Sequence, residues 1–152
     1  MAAALLFGGV AQAQPADLQK RRDEAKGLAD RAFDQLGKGS FKEAAELFKQ
    51  ADETFHSPMF VLFRAQALQK QKSWVEARAL LQSILDEKLA EYAPDAFREA
   101  KVKAAAAKKE IEARIPRLRV KVAAGVTVKV DGAVVTPNAM TMVNPGEHQI
   151  EA

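Results

Sequence analysis

The chain of 152 residues has no cysteine and contains two histidines, one tryptophan and one tyrosine. Without cysteine, it can form neither a disulfide framework nor a thiolate metal site, and thiol catalysis is excluded. The formal net charge of +3 is small for this length, so total charge does not indicate nucleic acid as a partner. Stability must come from packing, and 48% apolar residues suffice for one ordinary domain or two small ones.

The scarcity of histidine also limits catalysis. His56 lies between two predicted helices and His148 in a predicted turn, so we interpret both as structural. The stretch 37–40 reads GKGS, but the first glycine of a phosphate loop is missing and no strand precedes the stretch. Adjacent acidic pairs diverge on a helix and cannot share a substrate. We expect a protein that is not an enzyme, with no metal site and no cofactor.

The first residues differ from the rest of the chain. Residues 2–10 are an uncharged apolar run, and residues 11–13 read AQA, the small-residue spacing that a signal peptidase accepts. We interpret residues 1–13 as the remnant of a signal peptide and expect an exported protein of the bacterial periplasm or cell envelope. The alternative is a frayed apolar terminus, because no basic residue lies between Met1 and the apolar run.

From residue 15 to residue 115 apolar residues recur at helical spacing. Ser40 and Ser73 are each followed three residues later by glutamate, which predicts a capping box at two helix starts. Ser57 precedes a proline, which predicts a third helix start. The predicted helices cover residues 18–36, 41–55, 58–70 and 74–89.

One sequence pattern occurs twice, 33 residues apart: SFKEAAELF at 40–48 and SWVEARALL at 73–81. A repeat of this length is typical of stacked helical hairpins, because one hairpin alone buries only part of its apolar stripe. Small residues are expected where helices cross closely and large residues in the gaps. The matched packing positions are Phe41 with Trp74, Ala44 with Ala77, Phe48 with Leu81, and Ala51 with Ile84.

This order of residues resembles the tetratricopeptide repeat family over residues 25–91, as two repeats. The resemblance implies a concave groove for a protein partner, lined by the first helix of each hairpin. Two departures are notable: Lys72 replaces the turn glycine, and the positions of the family's peptide-carboxylate clamp hold no lysine or asparagine. A generic helical bundle is the alternative. The predicted groove residues are Phe33, Leu36, Leu62, Gln66 and Gln69.

A further predicted helix, within residues 94–115, closes the stack with one apolar face. Residues 98–121 contain nine Lys or Arg and three Glu, a local excess of six positive charges. This face either binds an anionic component of the envelope or is the solvated side of a capping helix. Because no aromatic residue interleaves the charges, we do not expect nucleic acid to bind. The basic face comprises Lys101, Lys103, Lys108, Lys109 and Arg114.

At Pro116 the pattern changes from helical to alternating. Apolar residues alternate with polar ones over 118–122 and 126–130, which predicts two half-buried strands. Asp131-Gly132 predicts a hairpin turn, because both residues tolerate positive backbone angles. A second turn is predicted at 144–146, before a final alternating run.

This tail resembles the PEGA domain, a small all-β module of bacterial envelope proteins. The resemblance is carried by VTVKVDG at 126–132, Thr136-Pro137, and PGEHQI at 145–150. Ala124 stands where that family often has proline. We expect a partial module over residues 116–152.

The predicted architecture is therefore mainly α: antiparallel helical hairpin repeats with a capping helix over residues 14–115, followed by a small partial all-β module. We expect a noncatalytic interaction or scaffold module that binds a protein segment in its groove. Two alternatives are adhesion to an anionic polymer or surface, and the exported part of a larger membrane-anchored signalling protein.

Overall fold

The computed structural model describes residues 15–152, so the predicted signal segment lies outside the described residues. This part of the chain is mainly helical, and each helix packs on the next one in sequence. The last helix also packs on the third. The helices are α1 (Pro15–Gly37), α2 (Phe41–Thr54), α3 (Pro58–Lys70), α4 (Trp74–Asp86) and α5 (Asp95–Glu112).

The helix bounds agree with the sequence prediction to within three residues. α1 begins three residues earlier than predicted, and α4 ends three residues earlier, where Glu87 adopts an extended conformation with φ −63° and ψ 129°. The turns that end α1 and α3 are alike, since Gly39 (φ 78°) and Lys72 (φ 66°) both adopt the left-handed conformation. The turns of the two hairpins therefore share this backbone conformation at equivalent positions.

The predicted capping boxes are wrong. Ser40 (φ −79°, ψ 66°) and Ser73 (φ −80°, ψ 63°) occupy the N-cap positions, but neither side chain makes a cap hydrogen bond within residues 15–152. Neither backbone is in the extended region that a capping serine usually adopts. Ser57 does cap α3 as predicted: its backbone is extended and its hydroxyl accepts the Met59 amide at 3.3 Å.

The core is built from the matched positions of the two hairpins. Phe41 and Trp74 are half-buried, whereas the other six matched residues are fully enclosed: Ala44, Phe48, Ala51, Ala77, Leu81 and Ile84. Small residues of α5 complete the second hairpin, where Ala100 and Ala104 are buried beside Leu81 and Ile84. Six of the eight repeat positions are therefore buried in the structure, and α5 packs on α3 and α4.

The C-terminal part forms short antiparallel strands: β1 (Arg117–Leu118), β2 (Val128–Val130), β3 (Ala133–Val135), β4 (Thr141–Met142) and β5 (Ile150–Glu151). β1 pairs with β4, and a second sheet has the order β3-β2-β5. The hairpin at Asp131 (φ 51°) and Gly132 (φ 80°) is confirmed. The predicted strand 118–122 is wrong, because only its first residue belongs to β1 and the segment then leaves the sheet.

None of the helices in residues 15–152 combines the length and the apolar character that crossing a membrane requires.

Candidate functional site

The predicted groove is centred on an aromatic cluster between the first helices of the two hairpins. Phe33 of α1 packs edge-on against Phe48 of α2, with ring centroids 5.0 Å apart, and against Phe63 of α3, at 4.8 Å. Phe48 is fully buried, whereas Phe33 remains 43% exposed. Phe33 therefore presents an apolar ring to solvent on a rigid support.

Two other predicted groove residues lie near the surface. Gln66 is exposed on α3, at the position that corresponds to Phe33 in the second hairpin. Leu36 is half-buried and packs against the clusters that contain Phe48 and Ala44. The accessible part of the predicted groove thus comprises Phe33, Gln66 and the edge of Leu36.

Leu62 and Gln69 do not belong to this surface. Leu62 is 1% exposed and packs among Ala100 and Ala104 of α5, so the prediction that it contacts a partner is wrong. Gln69 is half-buried and lines a separate cavity beside Trp74. α5 packs on α3 and covers the part of the groove that the second hairpin was expected to offer.

The basic face is largely paired within the chain. Lys103 binds Glu99 at 2.7 Å, Lys108 binds Glu112 at 2.9 Å, and Arg114 lies 3.4 Å from Glu110. Lys101 donates to the backbone oxygen of Glu87. Lys109 is exposed and has no carboxylate within 4.0 Å among the described side chains. These contacts favour the solvated capping helix over an anion-binding face.

Glu112 joins α5 to α4. Besides Lys108, it accepts a hydrogen bond from Arg78 of α4 at 2.7 Å. The hydrogen bond from Lys108, together with Arg78, holds the pKa of the Glu112 carboxyl below its ordinary value, against the opposing effect of partial desolvation. These three side chains therefore link α5 to α4 and engage the charge of Lys108 within the chain.

Asp52, His56 and Glu87 form a cluster between the two hairpins that was not predicted from the sequence. His56 Nδ1 lies 2.8 Å from Asp52 and its Nε2 lies 3.2 Å from Glu87. Burial lowers the pKa of His56, but the two carboxylates raise it by more, so the net shift is upward. Asp52 and His56 are four residues apart, a spacing that could have indicated the first contact; the contact with Glu87 has no local signal. Both ring nitrogens of His56 thus have a carboxylate partner, and the imidazole forms a structural tie between the two hairpins.

A series of hydrogen bonds joins the β module to α4. His148 Nδ1 lies 2.6 Å from Asp131, and its Nε2 lies 2.7 Å from the backbone oxygen of Asn144. Asn144 in turn accepts the Val75 amide at 2.8 Å and donates to Glu76 at 3.0 Å. The hydrogen bond from His148 lowers the pKa of Asp131, and the same bond raises the pKa of His148. Both ring nitrogens of His148 thus have partners inside the module, and Asn144 connects the module to α4.

Within residues 15–152, no cluster of histidine and carboxylate side chains is placed to hold a metal ion. A scan of the chain against protein-family models, and searches of curated proteins and of solved structures, find no match.

Proposed function

We propose that this chain is a noncatalytic protein-binding module of the bacterial cell envelope, in which two tetratricopeptide-like hairpins capture a segment of a partner protein. The observation that carries the proposal is the exposed ring of Phe33, 43% accessible on a support of two other aromatic rings. Rigid aromatic side chains held by their neighbours are the usual anchors of protein interfaces, because little side-chain entropy is lost on binding.

The neighbouring surface suits a peptide or helix as the occupant. Gln66 is exposed 33 residues beyond Phe33 and can donate to and accept from a peptide backbone. An apolar contact next to an amide side chain is the combination that helix-in-groove and extended-peptide recognition use. The partner segment would place an apolar side chain on Phe33 and a polar group at Gln66.

The envelope location and the PEGA-like identity of residues 116–152 rest on sequence features. The apolar run at 2–10 with AQA after it supports export. The β module supports a spacer or anchor role, because Asn144 and Met142 fix it against the helices. A role as the exported part of a larger signalling protein stays a prediction.

The test is photo-crosslinking in the native cell from a photoreactive residue at position 66. The matched control carries the same residue at Ala79, an exposed position on α4. We expect a protein adduct from position 66 that is absent from position 79 and is lost when Phe33 is replaced with alanine. Adducts that are equal at both positions, or that do not depend on Phe33, would show that the groove assignment is wrong.

Adhesion to an anionic polymer through α5 is less supported, because the basic residues are mostly paired. It predicts binding to an anionic polysaccharide that falls steeply between low and high salt, since exposed charges are screened over about 10 Å at 0.1 M salt. Binding at Phe33 should be nearly independent of salt.

A further inference from the structure

A cavity of about 390 Å³ lies where the turn between α3 and α4 meets the second half of α5. Its lining combines cations, an amide and apolar surface. The lining residues are Gln69, Lys70, Lys72, Trp74, Glu110, Ile111 and Arg114. With three cations and one carboxylate, this lining carries a net positive charge.

The first hairpin shows that the fold does not require these polar residues. In the first turn the Gly39 amide donates to Leu36 at 3.1 Å, and in the second the Lys72 amide donates to Gln69 at 3.0 Å. The two turns therefore have the same hydrogen bonding. The positions equivalent to Gln69, Lys70, Lys72 and Trp74 hold Leu36, Gly37, Gly39 and Phe41. The same turn is thus made in the first hairpin without a polar or charged side chain at any of the four positions.

Lys72 is also in a strained conformation. Its φ of 66° lies in the left-handed region, which glycine adopts freely and side chains with a Cβ adopt at a cost. Gly39 occupies the equivalent position without that cost. Retained backbone strain is typical of residues whose side chain has a role at that place. Here the strained residue carries a positive charge and is part of the cavity wall.

Gln69 supplies an unpaired donor. Its Nε2 is buried and has no hydrogen-bond partner among residues 15–152, whereas its backbone oxygen accepts the Trp74 indole at 3.1 Å. A buried donor without an acceptor is unfavourable, and Gln69 is one of the residues that line the cavity. An acceptor group entering the cavity would satisfy it.

We propose that this cavity binds an acidic side chain of a protein partner, next to an apolar residue of the same segment. The carboxylate would accept from Gln69 and Lys72, and the apolar neighbour would pack on Trp74. Arg114 lies 5.3 Å from the centre of the Trp74 ring and adds positive potential, although Glu110 partly neutralises it. The inference rests on the proposed protein-binding function and assigns to that function a second contact, separate from Phe33.

The single tryptophan of the chain is a reporter inside the cavity. The purified full chain is titrated with the peptide acetyl-Leu-Glu-Leu-amide while Trp74 fluorescence is followed. Acetyl-Leu-Gln-Leu-amide is the neutral control peptide, and inorganic phosphate is the control anion. We expect saturable binding of the acidic peptide with a dissociation constant on the order of 1 mM, at least tenfold weaker binding of the neutral peptide, and weakening by salt.

The variants take their replacements from the first hairpin. Lys72→Gly removes the ammonium group together with the strain, and Gln69→Leu removes the unpaired amide. Each should weaken binding of the acidic peptide at least threefold without lowering the melting temperature. Lys38→Ala, in the equivalent turn of the first hairpin, is the matched control and should bind as the unchanged chain does.

Several outcomes would overturn the proposal: equal affinity for the two peptides, unchanged affinity in both variants, or no saturable response. Binding of phosphate without binding of the acidic peptide would assign the cavity to a different anion and would also overturn it. Loss of crosslinking at position 66 with normal peptide binding here would contradict only the Phe33 groove.

Discussion

Leu62 and Gln66 lie one helical turn apart on α3, yet α5 covers only the first of them. Periodicity places both on one stripe of the helix, and the sequence predicted both as groove residues. It could not show where α5 would pack, because the irregular connection 87–94 sets the position of that helix. Phe33 and Gln66 could be predicted as surface positions from the repeat, whereas the burial of Leu62 depends on a contact between distant segments.

The first prediction separates these two residues by stability. Leu62→Ala should lower the free energy of unfolding by about 2–5 kcal/mol, because it opens a cavity against α5. Gln66→Ala should change that free energy by less than about 0.5 kcal/mol, as exposed substitutions usually do. Urea unfolding followed by circular dichroism measures both. Similar losses in the two variants would contradict the burial difference.

The second prediction concerns the proton affinity of His56. Removing the Glu87 charge with Glu87→Gln should lower the pKa of His56 toward its ordinary value of 6.5, because one of the two carboxylates that raise it is lost. Asp86→Asn is the matched control, since Asp86 is hydrogen-bonded to Gln82 at 2.7 Å. NMR titration of the imidazole measures the shift. An equal shift in the control variant would mean that the tie between hairpins is absent in solution.

At the scale of elements, the helices were predictable from the sequence, but the capping contacts at the starts of α2 and α4 were not. Apolar spacing, the Ser57-Pro58 start and the repeat placed all five helices of the described chain to within a few residues. The Ser-x-x-Glu pattern at Ser73 predicted a local cap, but the Val75 amide donates instead to Asn144, which lies 69 residues beyond Val75. A cap supplied from another module leaves no mark in the local sequence.

The third prediction tests which side chain caps α4. Asn144→Ala should lower the free energy of unfolding by about 1 kcal/mol, because the Val75 amide at the helix start loses its acceptor. Ser73→Ala should have an effect below about 0.5 kcal/mol, since its hydroxyl makes no cap bond in residues 15–152. Chemical denaturation ranks the two. A larger loss in the serine variant would restore the capping box.

The short strands show a similar limit. Alternation correctly placed Val128 and Val130 inside the β module, where both are buried. The same alternation over 118–122 predicted a strand of which only Leu118 is part. Instead of a strand partner, Val122 has Asn138, which exchanges two side-chain hydrogen bonds with the Val122 backbone. Alternation of apolar and polar residues indicates which side chains face inward, but it does not show whether a neighbouring strand is present to pair with the segment.

At the scale of the molecule, the β module contacts the second hairpin through several side chains. Met142 packs on the core cluster of α3, α4 and α5, and Asn144 binds the start of α4. The Val143 amide also donates to the Pro116 oxygen at 3.0 Å, close to the end of the helical part. The helical part and the β module, which the change of pattern at Pro116 separates in sequence, are therefore in direct contact. A substitution in one of them can change the stability of the other.

The fourth prediction is that stability is greatest in weakly acidic solution. The pKa values of His56 and His148 are raised, so their contributions are complete below about pH 6.5 and are lost as pH rises through the folded values. The pKa values of Asp131 and Glu112 are lowered, so their contributions are present above about pH 4.5 and are lost as pH falls through the folded values. The effects should be modest, because most of these groups contact solvent.

The measurement is the urea midpoint from pH 3 to pH 9, with a maximum expected at about pH 4.5–6.5. The double variant His56→Gln with His148→Gln should lose most of the decline above pH 6.5. Its decline at low pH should become smaller but persist, because the His148 bond that lowers the pKa of Asp131 is removed while Lys108 and Arg78 still lower the pKa of Glu112. His148 bonds Asp131 and Asn144 inside the β module, and His56 joins the two hairpins. The single variants should therefore each remove part of the alkaline decline. A decline that persists unchanged in the double variant would show that neither histidine tie contributes to stability.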